Sequence, residues 1–589
     1  MENNNFQVNL EGIISLLSEN LYKDKNVFLR EILQNAVDAI TARKNISDDE
    51  KDIINFELFE DTLVVEDNGI GLSKDDIENF LSVIGQSSKR KEILKGDFIG
   101  RFGIGLLSCF IVCDEITIIT KKFNSKEVFK WVGKSDGTYE MKKLDIKISF
   151  GSKVYLKAKE GASNFFMPEY VYKTLNHYGA FLPYPILLTY KDEVKIINKN
   201  AQLLLEANHN FNIWKGLGKE IYNENFLDCI HITSKTANIN GAAYILPRNT
   251  SLVSKVKGKI YVKGMFISDQ CDKIMPTWAF FTRPLINAQN LRLTASREDF
   301  YEDNELELVR KEIAECFKSY FMQLSKNNPK KLEDIINIHH NSLKLMSVEE
   351  DDLYKIMINY FKFSTTMGKM TLFDIYKEYK VIKYTLSVDD YKQIEKVAKA
   401  QNICIVNGGY INDSELIEKF NFIVDRYATE VINPNDISNS FDELSFEQIN
   451  ETQDFIIFAD KVLKAYSCSA SIKKFNPKEV TAIYNLSNCT KMLKEIKESK
   501  ENSVAENNFI LAELASSFEK LYQEEMSDLC FNYSNFMIRK LIQCRNDEVK
   551  RSVINVIYVQ ALMAGNHKVT KEEQELFSNG INKLMDMAL

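Results

Sequence analysis

The sequence predicts a multidomain α/β (α+β) protein, with an N-terminal α/β sandwich, an α/β middle region and a mostly helical C-terminal region. Three observations predict it. Over roughly the first 195 residues, helical periodicity is interleaved with short strands, the pattern of helices laid on a mixed sheet. A polar, charged crossing, KDEVKIINKNAQL from Lys191, then separates this region from a second α/β segment. From about Ser440 onward helical spacing predominates. A chain of 589 residues accommodates roughly three or four domains of ordinary size. The boundaries predicted here are 1–195, 196–435 and 436–589.

The elements follow in order. An early helix is expected over about Leu10 to Leu21, and a second over LREILQNAVDAITAR, residues 29–43. In the second, Leu29, Leu33, Ala36 and Ile40 recur at the spacing of a buried face. Glu31, Asn35 and Asp38 recur beside them, and Ile32, Val37 and Ala39 make the helix apolar nearly all round. Two carboxylates and an amide along a buried seam are costly unless they bind something. FELFEDTLVVEDNGIG then reads as two short strands ending in a Gly-rich turn, followed by a loop-and-helix region from about Ser73 to Leu107. Strands resume at ITIITKK and KVYLKAK. In the second segment AAYILP and KIYVKGMFI read as strands and Glu305 to Leu324 as a helix. Met370 to Val431 carries helices and one buried strand, NICIVNG. The polar run KESKENSVAENN, 497–508, is expected to be a mobile loop. The last helix opens on a capping box, Thr570 to Glu573, and presents Phe577, Ile581, Leu584 and Ala588 on one stripe. That stripe must bury against its own domain or another subunit.

Composition narrows the functional classes. Hydrophobic residues at 45% and aromatics at 11% describe a well-packed globular chain. A net charge of −8 argues against nucleic acid as the main partner. The ten cysteines show no CxxC spacing, so Cys109 and Cys113 in LLSCFIVC read as buried thiols in a reducing compartment. The adjacent His339 and His340 lack the companions that a metal site needs. The polar start, MENNNFQVNLEG, has no signal-peptide core, and no run approaches the ~18 apolar residues of a membrane span. The expectation is a cytoplasmic protein with no membrane partner.

Two further motifs carry chemistry. In VVEDNGIGLSKDD a strand delivers Asp67 to a turn built on Gly69 and Gly71. Such a carboxylate can accept a hydrogen bond from a ligand amine, for example that of adenine, although Asp-Asn-Gly also describes a plain hairpin turn. In GDFIGRFGIGLLS, Gly96, Gly100, Gly103 and Gly105 open an apolar helical run and offer free N–H groups to a phosphate. No GK[ST] follows and no βαβ unit surrounds it, so it is neither a Walker A loop nor a Rossmann loop.

The order acid–amide helix, Asp-x-Gly-x-Gly, Gly-rich lid and a later Gly151-Ser152 resembles the nucleotide-binding fold shared by DNA gyrase, the Hsp90 chaperones, sensor histidine kinases and MutL. The flanking residues choose among them. FQVNLEGIISLLSENLYKDKNVFLREILQNAVDAI, IGRFGIGLLSCFIVCD and KIYVKGMFISDQCDKIMPTWAFFTRPLINAQNLRLTASREDF are similar to the Hsp90 chaperone family in its bacterial form. VINVIYVQALMAGNHKV resembles the family's dimerisation domain more thinly. The resemblance implies an ATP-dependent chaperone, a homodimeric clamp that acts on client proteins, with ATP and Mg²⁺ bound in the N-terminal domain. It implies Glu31 as general base and Asn35 as the Mg²⁺ ligand, with Asp38 in the same pocket. Asp67 would read the adenine amine with Ser152 assisting, and Gly71, Gly100, Phe102, Gly103, Ile104 and Gly105 would line the nucleotide. Arg297, in the Ser296-Arg297-Glu298 loop of the next domain, would reach the γ-phosphate.

The chain departs from the family at Phe80 (usually Asn), Tyr301 (Gln), Ala42 (Lys) and Thr294 (Asn), and it ends MDMAL without an acidic tail. Two other readings stand beside this one, the first motivated by Phe80 and Tyr301 and the second by the shared nucleotide-binding fold. One is a nucleotide-binding scaffold of the same fold with little turnover, and the other is a DNA-acting clamp ATPase of gyrase or MutL type. The net charge and the Ser-Arg-Glu loop disfavour the second.

Overall fold

The computed structural model describes residues 25–47, 51–81, 105–199, 201–207, 210–251, 254–294, 299–424, 427–433, 437, 441–485, 527–565 and 567–588. Two compact units divide the chain, Met1–Ser342 and Leu343–Leu589. The helix expected over Leu10 to Leu21 and the loop 497–508 lie outside the described residues.

The first unit is built on two sheets. Strands β1 (Ile54–Phe59), β2 (Thr62–Asp67), β3 (Glu115–Lys121), β4 (Val128–Lys134), β5 (Tyr139–Leu144), β6 (Gly151–Lys157), β7 (Ile186–Tyr190) and β8 (Glu193–Ile196) form an eight-stranded sheet. Its order is β5-β4-β3-β6-β2-β1-β7-β8, and only β1 and β7 pair in parallel. The expected strands at FELFEDTLVVEDNGIG, ITIITKK and KVYLKAK are therefore β1–β2, β3 and β6. Helices α1 (Val27–Lys44) and α2 (Pro168–Gly179) contribute to the core against the sheet. Leu29, Leu33 and Ile40 of α1 are completely buried, as their spacing required.

The second sheet of this unit holds β9 (Asp228–Ser234), β10 (Ile239–Ile245), β11 (Lys257–Val262), β12 (Met265–Gln270) and β13 (Thr282–Ala288), in the order β12-β11-β13-β10-β9. The hydrophobic core is continuous from the first sheet into it. Phe181 meets Tyr261 edge-on with ring centroids 4.8 Å apart, and Tyr178 and His177 pack on Phe266. Gly264, at φ +81°, sits where a Cβ would lie 2.3 Å from the Phe181 carbonyl oxygen, so the β11–β12 turn approaches this core backbone to backbone. Helix α3 (Asn304–Asn327) is capped by Asp303, whose carboxylate accepts from Leu306 N at 3.0 Å. It buries Phe317 and Phe321 against Trp278 and Phe281.

The second unit carries a five-stranded sheet, β14 (Phe363–Thr365), β15 (Gly368–Met370), β16 (Ile382–Thr385), β17 (Ile405–Asn407) and β18 (Thr429–Val431), in the order β15-β14-β17-β16-β18. The strand expected at NICIVNG is β17. A buried ion pair, Lys344–Asp413 at 2.5 Å, ties the helix before these strands (Pro329–Glu349) to the one between β17 and β18 (Asp413–Lys419). Beyond residue 440 helices predominate, but a small sheet is also present: β19 (Cys468–Lys473), β20 (Ala482–Asn485) and β21 (Ser527–Asn532), with β21 central. Helices α4 (Phe446–Leu463), α5 (Phe536–Gln543), α6 (Asp547–Ala564) and α7 (Lys571–Ala588) surround its core. Among the described residues no helix is long and apolar enough to cross a membrane. No group of three or more His, Cys, Asp or Glu suited to a metal occurs among them either.

Candidate functional site

Helix α1 forms because good helix formers fill most of its positions and because Arg43 and Lys44 complement the dipole in its last turn. Its polar row is split by the fold. Glu31 and Asp38 are buried, at 2% and 1% exposure, whereas Asn35 is exposed. Glu31 is held by its neighbour: Arg30 Nη2 and Nε donate to Glu31 Oε1 at 3.1 and 3.3 Å. Arg30 is itself buried and lies over the Tyr178 ring at 5.8 Å. Breaking one side of such a pair strands a buried charge, so the contact fixes where the Glu31 carboxylate points.

The Gly-rich passage meets α1 at this carboxylate. Gly105 opens a 3-10 segment, Gly105–Ile111, where the sequence predicts a helical run. A Cβ at Gly105 would lie 2.2 Å from Glu31 Oε2. Behind it Cys109 and Cys113 are buried thiols, as expected. Burial, Cys113 and the charge of Glu31 hold the Cys109 thiol well above its ordinary value, and burial pushes Cys113 up to about 12. Both are inert at neutral pH.

The second motif meets α1 two turns further along. Asp67 ends β2, is 8% exposed, and its Oδ1 accepts from Gly69 N at 2.8 Å. Gly69 lies against Ala39 so closely that a Cβ would stand 2.4 Å from the Ala39 methyl, and Ile70 N donates to Ala39 O at 2.9 Å. Gly71 takes φ +63°, with a hypothetical Cβ 2.1 Å from Lys121 O. Past it, Ser73 and Asp76 form a reciprocal cap, and Lys122 pairs with Asp76 at 2.8 Å. Burial opposes ionisation of Asp76, but the hydrogen bonds from Lys122 and Ser73 outweigh it and hold the carboxyl below its usual range. Asn68 fastens the other flank, accepting from Ile53 N at 3.0 Å and donating to Lys51 O at 2.6 Å.

Strand register sets the remaining neighbours. Asp67 is paired with Ser152 of β6, and Ser152 with Thr120 of β3, so the three occupy one row across the sheet. Thr120 is completely buried, and its hydroxyl lies 3.0 Å from that of Ser152.

Glu31, Asp38, Asp67, Gly71, Gly105 and Ser152 are thus placed on, or against elements that touch, one helix. Gly100, Phe102, Gly103, Ile104 and Arg297 lie outside the described residues, as does the Phe80 side chain. The flanks of the Arg297 loop are described: Leu293 and Phe300 form an antiparallel bridge, and Thr294 N donates to Asp299 O at 2.9 Å. Tyr301 is 50% exposed beneath the Arg292 guanidinium, which pairs with Asp303 at 3.0 Å. A surface groove of about 410 Å³ between α2 and the β7–β8 hairpin shares no residue with this set. Sequence reasoning overlooked Arg30 and Thr120. The signal for Arg30 was a cation directly beside Glu31 inside the apolar helix. Thr120 carried no signal of its own, because it shares the inward face of Ile116 and Ile118 and reads as core.

Comparison with known proteins matches two stretches of the chain. Residues 22–154 match the family model described as "Histidine kinase-, DNA gyrase B-, and HSP90-like ATPase". Residues 248–403 match the model described as "Hsp90 protein". The chain is 27% identical to "Chaperone protein HtpG" of Bacillus subtilis (strain 168) over 475 residues, covering 71% of this chain and 75% of the relative. It is 27% identical to the protein of that name from Clostridium acetobutylicum, over 67% of this chain and 72% of the relative. A third, from Shouchella clausii (strain KSM-K16), is 25% identical over 99% of this chain and 100% of the relative. With an ATPase-type first segment, an Hsp90 second segment and HtpG relatives aligned across most of its length, the chain is similar to the HtpG chaperones and to the Hsp90 family from end to end.

Proposed function

We propose that this protein is an ATP-dependent molecular chaperone that binds and hydrolyses ATP in a dimeric clamp cycle acting on client proteins. Its working parts are an ATP-binding region at 1–195, a middle region at 196–435 and a dimerisation region at 436–589. The observation that carries the reading is the placement of two Gly-rich segments along one helix. The first touches Ala39 beside Asp67, and the second touches Glu31. Those positions are about 12 Å apart along the helix axis at 1.5 Å per residue. That is a length over which a nucleoside triphosphate extends from base to γ-phosphate.

In this reading Asp67 accepts the adenine amine, Ser152 assists it, and Asp38 and Gly71 line the pocket. The amides of Gly100 to Gly105, with Phe102 and Ile104 among them, cradle the phosphates. Glu31 orients and deprotonates the attacking water, its carboxylate aimed by Arg30. Asn35, an exposed amide on α1, would be the residue that holds Mg²⁺, and the ion would supply charge neutralisation when bound. Arg297 stabilises charge developing on the γ-phosphate. The Hsp90 match and the HtpG relatives support the chaperone role, and the ATPase-type segment supports nucleotide binding. The same features support placing the protein among client polypeptides in the cytoplasm rather than on nucleic acid.

The test is steady-state turnover beside ATP binding in the full chain. Glu31→Gln keeps a hydrogen-bonding partner for Arg30 and removes the base, so turnover is expected to fall by about 10²–10⁴ with ATP affinity nearly unchanged. Asp67→Asn should instead abolish binding, because a donor then faces the adenine amine. Turnover of Glu31→Gln within a factor of about two of wild type, against that expectation, would falsify the base assignment.

A further inference from the structure

The row Asp67–Ser152–Thr120 fixes more than position, because hydroxyl protons can be counted in it. A threonine hydroxyl has one proton to donate and two lone pairs to accept with. Leu72 N donates to Thr120 Oγ1 at 2.9 Å. Thr120 Oγ1 lies 3.0 Å from Gly151 O, and a carbonyl oxygen only accepts, so the Thr120 proton goes there. The remaining contact, 3.0 Å to Ser152 Oγ, is then made with Ser152 as donor. Thr120 is completely buried, so no water competes for these bonds. Ser152 has no second proton, and toward a ligand it shows only lone pairs. Asp67, its register partner on β2, likewise presents a carboxylate.

We propose that Thr120 is a specificity-determining positioning residue: by consuming the Ser152 hydroxyl proton it makes the base pocket accept-only, admitting an exocyclic amine and rejecting a 6-oxo purine. This rests on the reading of Asp67 and Ser152 as the adenine-binding residues. A purine with an amine at C6 donates into two acceptors. A 6-oxo purine puts an acceptor against them, and an unpaired buried acceptor is what such a site penalises most. Thr120 touches no base in this scheme and acts only through Ser152.

The test uses the full-length protein and two nucleotides, ATP and ITP, with affinities measured by calorimetry. Thr120→Val keeps shape and removes the hydroxyl, freeing the Ser152 proton to meet a 6-oxo group. The preference for ATP over ITP should fall about tenfold, the size of one well-placed hydrogen bond. Thr120→Ser restores the hydroxyl and should restore the preference. Ser152→Ala deletes the disputed acceptor, so ATP should weaken while ITP does not, and adding Thr120→Val to it should change the preference no further. If Thr120→Val does not fold, Ser152→Ala still decides: equal losses for ATP and ITP overturn the proposal. An unchanged preference in folded Thr120→Val overturns it as well, as does a further fall in preference on the Ser152→Ala background. Failure of the underlying site reading looks different, because ordinary ATP affinity in Asp67→Asn would place the base elsewhere.

Discussion

Gly71 is the residue at which backbone and chemistry constrain each other most tightly. Its φ of +63° lies in the left-handed region, and the space for a Cβ is taken by the Lys121 carbonyl, a backbone atom that cannot step aside alone. Gly71→Ala should therefore cost more than the roughly 1–2 kcal/mol of left-handed strain. The damage should spread to Leu72 and its bond to Thr120, so ATP affinity should fall together with the melting temperature. An alanine variant that melts and binds like wild type would show that the turn is not rigid. At this scale the sequence displayed the site incompletely. Periodicity put Glu31, Asn35 and Asp38 on one side of a helix, but it could not separate the buried carboxylates from the exposed amide, because that depends on what the rest of the chain lays over each position. Asp67 and Gly71 were legible, since a carboxylate at a strand end and a glycine after it are local facts. Thr120 was not legible. Its β-branched side chain on an inward strand position reads as core, and its chemical partner Ser152 lies in another strand.

Among elements, the last helix shows a local signal and a long-range contact acting on the same residue. Thr570 and Glu573 form the capping box that their spacing predicts, with Thr570 N donating to Glu573 Oε2 at 2.8 Å and Glu573 N to Thr570 Oγ1 at 3.2 Å. The other Glu573 oxygen accepts from the hydroxyl of Tyr558, a fully buried residue on α6, at 2.9 Å. Thr570→Ala should thus cost about 1 kcal/mol, the usual loss of a cap. Glu573→Ala should cost more, about 1–3 kcal/mol beyond the cap, because it leaves the Tyr558 hydroxyl buried without its acceptor. Urea unfolding followed through tyrosine fluorescence should rank the midpoints wild type, Thr570→Ala, Glu573→Ala, and the reverse order of the two variants would remove the buried bond from the account. Helices and hairpins of this kind were readable because their partners are near in sequence. The sheet beyond residue 440 was not. There β19 pairs in parallel with β21, Cys468 opposite Ser527, across a long intervening stretch, and nothing in either short strand names the other.

At the scale of the whole molecule, the proposed clamp turns on what covers the outer face of α7. Phe577 joins the core beneath it, and a Cβ at Gly580 would stand 2.8 Å from Val556 Cγ2 on α6, so α7 is docked on its own subunit. Yet the stripe that the sequence predicts is only half covered: Ile581 and Leu584 remain half-buried. Met585 and Met587, in the same final turns, are 57% and 45% exposed. A protein with a net charge of −8 has no shortage of polar side chains for such positions, and apolar ones gathered at one helix end mark a contact surface. In the proposed cycle that surface meets its copy on a second subunit, each aliphatic contact contributing of the order of 1–3 kcal/mol when buried. Ile581→Asp combined with Leu584→Asp should then produce monomers that bind ATP with ordinary affinity but turn it over slowly, since completion of the proposed catalytic set depends on paired subunits closing. Light scattering at micromolar concentration, with and without a non-hydrolysable ATP analogue, measures this directly. A wild-type chain that is monomeric in both states would end the clamp reading while leaving the nucleotide site standing. A dimeric double variant would instead move the joint away from α7.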